Sequence, residues 1–325
     1  MRVIDCFLFH KELDILELRI EYLYDYVDKF IILESHQEFT GKPKPFYLEA
    51  ELNERFKKFK NKIIYFKNEI FLNSYNDLIQ YNNDRIISEI TKLIENQKHF
   101  NKDILRYLID TFQREMLRYP ICQNCSTNDK IMISDVDEIP SRQFIQDLKF
   151  LNENQILIQK HHEFKFFIDN YSHSNWVGGT IACSLKNLLN YSFNQLRQDA
   201  KKKRIKNSKI SKSYGYHLTF FGGVKSISDK ISSYAHQEFN LEIILDNINS
   251  IIKNNDDIFL RPGENTQNIY FNENKYLDDD IKKYISKNKI FFNNINAKKI
   301  DFFKRLIIKF QIALNKIFKK IKGDY

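Results

Sequence analysis

The chain is poor in cysteine and has no long hydrophobic run. Cys6, Cys122, Cys125 and Cys183 are its four cysteines, too few and too scattered for a disulfide framework, so a reducing compartment is expected. Cys122-Gln-Asn-Cys125 has zinc-like spacing, but no second close Cys/His pair accompanies it, and a structural zinc needs four ligands. No run of about 18 apolar residues occurs, so no membrane-spanning helix is expected. Met1-Arg2-Val3-Ile4-Asp5 meets an acid at once, so no signal-peptide apolar core is expected either. The basic stretch Arg197 to Lys212, with Lys201-Lys202-Lys203-Arg204 inside it, has no interleaved aromatics. That argues against nucleic acid and for a solvated loop, one able to close over an anionic ligand.

Charge is abundant. Lys and Arg number 51 against 42 Asp and Glu, a net charge of +9, which suits a polyanionic partner such as a phosphorylated substrate or an acidic membrane. At 325 residues the chain can bury one large core or two small ones.

The stretch that organises the rest is Ile131-Met132-Ile133-Ser134-Asp135-Val136-Asp137-Glu138-Ile139-Pro140. Its apolar residues read as a buried strand, and Pro140 cannot continue a ladder. If the backbone stays extended, Asp135 and Asp137 share one side and Val136 turns into the core. Two carboxylates so close call for a counter-charge, and Mg²⁺ or Mn²⁺ takes carboxylate oxygens together with substrate phosphates. Taken alone, Asp-x-Asp is also compatible with a solvated turn.

Around it the pattern alternates between strands and helices. Val3 to Phe9 reads as a strand, Glu12 to Tyr26 as a helix and Lys29 to Leu33 as a second strand, a β-α-β unit implying a parallel sheet. Phe39 to Pro45 is a loop, Leu52 to Phe59 a helix and Lys62 to Phe66 a third strand. Asn76 to Glu95 and Asp103 to Leu117 follow as helices, the second carrying Arg106, Gln113 and Arg114, side chains that can reach a phosphate or lie on an exposed face. Phe144 to Leu151 is a helix, Gln155 to Ile158 a strand, and Val224 to His236 a helix. His217 or His236 could complete a metal site with Asp137, and Glu238 has the chemistry of a general base.

Several of these segments together resemble the inverting glycosyltransferases of the β-1,4-mannosyl-glycoprotein β-1,4-N-acetylglucosaminyltransferase type, family seventeen. The stretches that carry the resemblance are Asp5 to Phe9 with Glu12-Leu13-Asp14 and Leu16-Glu17, then Glu34-Ser35 with Phe39 to Pro45, Phe112-Gln113-Arg114-Glu115, Ile133 to Pro140, Tyr216 to Gly223, and Lys230-Ile231 with Ala235 to Phe239. They run in the family's order over about the first 290 residues. The chain departs from the family at Tyr216, where Trp is usual, at Thr219-Phe220, where Ser-Tyr is usual, and at Leu277-Asp278, where Leu-Pro is common. An aromatic change beside the sugar could alter which sugar is accepted.

The resemblance implies a GT-A fold over residues 1–290, an α/β architecture with a Rossmann-like nucleotide-binding half and a mixed central sheet. It implies a UDP-sugar donor, with UDP-GlcNAc expected, and Mn²⁺ or Mg²⁺ held by Asp137 and Asp135, with His236 as a further ligand. Arg114 and Arg261 would share the diphosphate charge, and His217 would line the same donor site. Phe9, Glu12, Glu34 and Ser35, at the carboxyl ends of the first two strands, would hold the uridine. Glu238 would act as the base on the acceptor hydroxyl, with Glu163 and Asp169 as alternatives.

Residues 291–325 form the second expected region. Ile300, Phe303, Ile307, Phe310, Leu314, Ile317, Phe318 and Ile321 recur at helical spacing among lysines between Asn296 and Lys322. This reads as a basic amphipathic helix for an acidic membrane surface, or else a helix packed on its own domain. The expectation is therefore a glycosyltransferase acting on a glycan or lipid-linked saccharide, peripheral on the inner, cytoplasmic face of the membrane. Two other classes remain open: a non-catalytic glycan- or membrane-binding protein on a degenerate GT-A scaffold, and a metal-dependent phosphohydrolase.

Overall fold

A computed structural model describes residues 1–81 and 83–321; Lys322, where the expected tail helix ends, lies outside them. The chain divides into two compact units. The first comprises Met1–His161 and Trp176–His217, the second His162–Asn175 and Leu218–Tyr325.

The first unit is a mixed α/β layer structure. Strands β1 (Val3–Phe9), β2 (Lys29–Ser35), β3 (Ile63–Asn68) and β4 (Lys130–Asp135) pair in parallel in the order β3-β2-β1-β4. Every residue of β1 is buried, as parallel strands covered on both faces must be, which is why these strands read as continuous apolar runs. Next to β4 the direction reverses. Strand β7 (Asn170–Ser184) pairs antiparallel with β4, Ile133 opposite Ile181. Strands β6 (Ile156–Lys165), β8 (Ser208–Thr219) and the two-residue β5 (Glu138–Ile139) complete the order. Helices Leu13–Leu23, Arg85–Asn96 and Leu105–Met116 supply the covering layers, and the core runs through Ile31, Ile90, Phe112, Ile133 and Leu196.

The second unit holds the continuations of β6, β7 and β8, with β9 (Thr266–Asn268) antiparallel to β7. Short helices pack on Phe166, Phe220, Phe239 and Phe259. Its last element is a helix at Phe302–Ile321.

Four local expectations change. The stretch Arg197 to Lys212 is not a solvated loop: a helix runs Phe193–Lys201 and β8 begins at Ser208. The helix expected at Leu52 to Phe59 is replaced by a helix at Tyr47–Glu51 and a 3-10 turn at Lys57–Phe59. The helix expected at Asn76 to Glu95 is two, Tyr75–Ile79 and Arg85–Asn96, because Asp84 caps the second by accepting from the Ile86 and Ile87 amides. The backbone at Asp135-Val136-Asp137 is also not extended, since it turns at Val136 and Asp137 between β4 and β5.

Candidate functional site

The turn after β4 lies at the carboxyl end of the parallel strands, and a buried arginine fixes its shape. Arg19, on the first helix, is fully buried. Its guanidinium grips Asp5 through Nε (2.9 Å) and Nη2 (2.6 Å). Nη1 donates to the carbonyls of Asp135 (2.7 Å), Val136 (3.2 Å) and Glu138 (3.0 Å), and Nη2 also reaches Ser134 Oγ (2.7 Å). The turn's carbonyls are thus satisfied by one planar donor fork, a task lysine's single point charge cannot do. Val136 is buried at 3% exposure, but within a turn rather than by the alternation of an extended strand.

The acids around the turn have separate partners. Asp135 accepts from Arg114 Nη1 (2.5 Å) and Arg197 Nη2 (3.0 Å). Burial alone would raise its pKa, but Arg114 and then Arg197 outweigh that and hold it well below the usual carboxylate range. Glu138 is buried and accepts from Arg197 Nη1 (2.6 Å) and Nη2 (2.9 Å), Trp176 Nε1 (2.6 Å) and the Asp135 amide (2.8 Å). Burial opposes ionisation here too, and Arg197 reverses the balance. Asp137 sits in the turn itself, with His217 Nε2 3.9 Å from Oδ2. The His217 ring packs against Trp176 at 4.7 Å between centroids with the planes tilted by 31°, and the Lys201 ammonium lies over the same indole at 4.3 Å. Loss of solvent, then Arg197, lowers the Lys201 pKa to about 8.

Each residue of Phe112-Gln113-Arg114-Glu115 has its own task. Phe112 is core, Gln113 donates to the Gln37 carbonyl (2.7 Å), and Arg114 reaches Asp135. The buried Glu115 carboxylate accepts from Ser192 Oγ (2.6 Å) and from the Phe193 (3.1 Å) and Asn194 (3.0 Å) amides. It therefore caps the helix that delivers Arg197 and Lys201, where a negative charge is favoured. Arg106 lies two helical turns before Arg114, and its buried Nε and Nη2 meet no acceptor among the described residues.

Of the expected site residues, the first unit brings together Asp135, Asp137, Arg114 and His217. Glu34 is different. Its carboxylate is wholly buried and accepts from Lys44 Nζ (2.9 Å), the Tyr47 (2.8 Å) and Leu48 (3.1 Å) amides and Tyr65 Oη (2.8 Å). It anchors the Tyr47–Glu51 helix and has no acceptor position left for a uridine. Phe9 and Ser35 are buried, and Glu12 accepts from the Lys11 amide (3.0 Å).

Glu238, His236 and Arg261 belong to the second unit. Glu238 is buried and its Oε1 is 3.0 Å from His236 Nδ1. Arg261 grips Asp257 through Nε (2.9 Å) and Nη2 (2.7 Å), which raises its pKa. Glu163 accepts from Ser174 Oγ (2.5 Å), and burial raises the Asp169 pKa. Among the described residues no three His, Cys, Asp or Glu side chains gather into a metal-binding group.

Arg19 and Glu138 carry no site role in the sequence expectations, and Arg197 and Lys201 enter them only within a basic loop expected to close over an anionic ligand. A signal for Arg197 was present: Ser192 is an N-cap residue, and Phe193, Leu196 and Ala200 recur at helical spacing behind it.

No curated protein matches the chain. Among solved structures, the bifunctional IspDF from Campylobacter jejuni aligns over 72% of this chain and 54% of its own, at 9% identity and a TM-score of 0.32. The chain thus spans about half of that protein's length. A Bacillus anthracis protein assigned as a glucose-1-phosphate thymidylyltransferase, solved with sucrose, aligns over 66% of this chain and 88% of its own, at 10% identity and a TM-score of 0.33. The model of glycosyltransferase family 17 matches residues 1–267. That span takes in the arginine-clamped turn, the Glu115-capped helix, Glu238 and Arg261, and the chain belongs to glycosyltransferase family 17.

Proposed function

We propose that the chain is an inverting, metal-dependent glycosyltransferase of GT-A type that moves GlcNAc from UDP-GlcNAc to a glycan or lipid-linked acceptor. The observation that carries this reading is the charge arrangement at the end of β4. Arg114 and Arg197 already neutralise Asp135, and Asp137, in the turn with His217 Nε2 3.9 Å from its Oδ2, is the carboxylate proposed to meet a cation. Mg²⁺ or Mn²⁺ is commonly held by one or two carboxylates together with substrate phosphates, so the residues present fit such an ion. When bound, the ion would stabilise the departing diphosphate. Arg106 and Lys201 supply further cationic donors for the nucleotide sugar. Asp135 then serves as a positioning residue that orients both arginines, rather than as a metal ligand. Glu238, buried beside His236, is the preferred base for the acceptor hydroxyl, and its carboxylate would take that proton as the anomeric carbon inverts.

Calorimetry with a UDP-sugar panel, with and without Mn²⁺, tests the proposal. Mn²⁺-dependent binding of UDP-GlcNAc is expected, and Asp137→Ala should abolish the metal dependence while the far-ultraviolet circular dichroism stays unchanged. Preference for another UDP-sugar would keep the mechanism and change the donor. A folded protein that binds none of them would favour a non-catalytic scaffold.

A further inference from the structure

The C-terminal helix Phe302–Ile321 has two apolar faces, and only one is covered. On the covered face Ile308 and Ile312 are 0% and 7% exposed and join the second unit's core. Polar contacts fasten that side: Arg305 Nη2 pairs with Asp256 (2.6 Å), Asn315 Nδ2 donates to the Glu238 carbonyl (2.9 Å), and the Lys316 ammonium lies over Phe239 at 4.4 Å.

On the far side Phe303, Ile307, Phe310, Leu314, Ile317 and Phe318 are exposed, Phe303 to 76% and Phe310 to 64%. At 3.6 residues per turn they form a single stripe about 100° wide. Exposed Lys309 and Lys320 border it on one edge and Lys304 on the other. The helix contains no Asp or Glu. A second copy seated on this stripe would therefore set cations against cations, whereas acidic lipid headgroups complement them. Lysine stems can also lie along apolar surface while their ammoniums stay at the headgroup level.

We propose that this stripe is a docking surface for an acidic lipid bilayer, used with the helix still packed on its own unit. The helix lies in the plane of the interface, Phe303, Phe310 and Ile317 enter the acyl boundary, and the flanking lysines meet the phosphates. The segment Gln237–Phe239, which carries Glu238, rests on the opposite side of the same helix, so the docked element also holds the backbone of the proposed base. Docking itself does not depend on the donor or on the chemistry.

The test is co-sedimentation of the full chain with phosphatidylcholine vesicles, with and without phosphatidylglycerol. Binding to the acidic vesicles is expected, weakened by salt. The triple variant Phe303→Ser/Phe310→Ser/Ile317→Ser should lose binding on the order of a hundredfold. Its thermal melt should be unchanged, because none of the three side chains is buried. The variant Lys304→Gln/Lys309→Gln/Lys320→Gln should lose about fivefold per lysine and with it the preference for acidic lipid. Any of three results would overturn the proposal: no preference for acidic vesicles at low salt, undiminished binding by the serine variant, or a vesicle-free dimer that the serine variant converts to monomer.

Discussion

Arg197 is where the candidate site and the stability of the first unit meet. Its guanidinium is shared between Asp135 and a buried, doubly gripped Glu138. Replacing it with Met would leave Glu138 with the Trp176 indole and one amide as its remaining partners here. Breaking a buried pair from one side costs about 3–5 kcal/mol, because the other charge stays buried. Arg197→Met should therefore lower the urea-unfolding free energy by about that much, and adding Glu138→Gln should recover part of it. Equal loss in the single and double variants would mean that the acid is not the group Arg197 compensates. This pairing was not legible in the sequence. The acid stood in view next to Asp135-Val136-Asp137, but its partner lies 59 residues on, inside a stretch whose lysines suggested solvent. The turn at Val136–Asp137 was equally hidden, because its geometry comes from Arg19 donating to three carbonyls, a long-range contact that local alternation cannot signal.

At the scale of elements the parallel strands were the legible part. β1, β2 and β4 are apolar almost throughout because helices cover both faces, and that composition survives into the sequence. The Phe193–Lys201 helix was legible only in part: Ser192 and the spacing of Phe193, Leu196 and Ala200 signal it, but Asn194 and Arg197 share the buried side and the lysines that follow suggest solvent. A long-range carboxylate also secures its start. Glu115 satisfies the Phe193 and Asn194 amides and the Ser192 hydroxyl, and charge-assisted hydrogen bonds of this kind are roughly twice as strong as neutral ones. Glu115→Ala should destabilise the first unit by about 2–4 kcal/mol. Because the helix carries Arg197 and Lys201, the same change should weaken UDP-sugar affinity, although Glu115 itself meets only protein groups. Glu115→Gln, which keeps one acceptor, should fall between. Affinity unchanged in Glu115→Ala would separate the helix from the donor site. Close approach of strands is a further element-scale feature with no local signal beyond the glycines. The His161 ring lies between Gly179 and Gly215, where an added Cβ would come within 2.6 Å of the imidazole on either side and 2.6 Å from the Ile139 carbonyl at Gly215.

For the molecule as a whole, the net charge of +9 proves to be unevenly placed. The C-terminal helix holds Lys304, Arg305, Lys309, Lys316, Lys319 and Lys320 without an acid, so most of the excess resides in one element, and the rest of the chain is close to balanced in charge. Its response to pH should then follow buried groups rather than overall repulsion. His161 in the first unit is held neutral by burial, with its pKa lowered to about 3, and its Nε2 lies 3.1 Å from Thr180 Oγ1. His162 in the second unit is lowered to about 4, also by burial, and His99 shifts the same way. In the unfolded chain these imidazoles take up protons near pH 6.5, while the folded chain does not until far lower. The unfolded state thus binds more protons across that window, and stability is present in full above about pH 6.5 and falls as the pH drops below it. Each buried histidine contributes a slope of up to about 1.4 kcal/mol per pH unit. The carboxylates held low by arginine, Asp129 and Asp257 among them, add their loss only below about pH 4, where the unfolded acids protonate. Urea unfolding followed from pH 7.5 to 4.5 should therefore show stability declining well before any carboxylate titrates, and His162→Gln should flatten the part that belongs to the second unit. A profile level down to pH 4.5 would mean that the folded chain accepts these protons, and that the three histidines are reached by water.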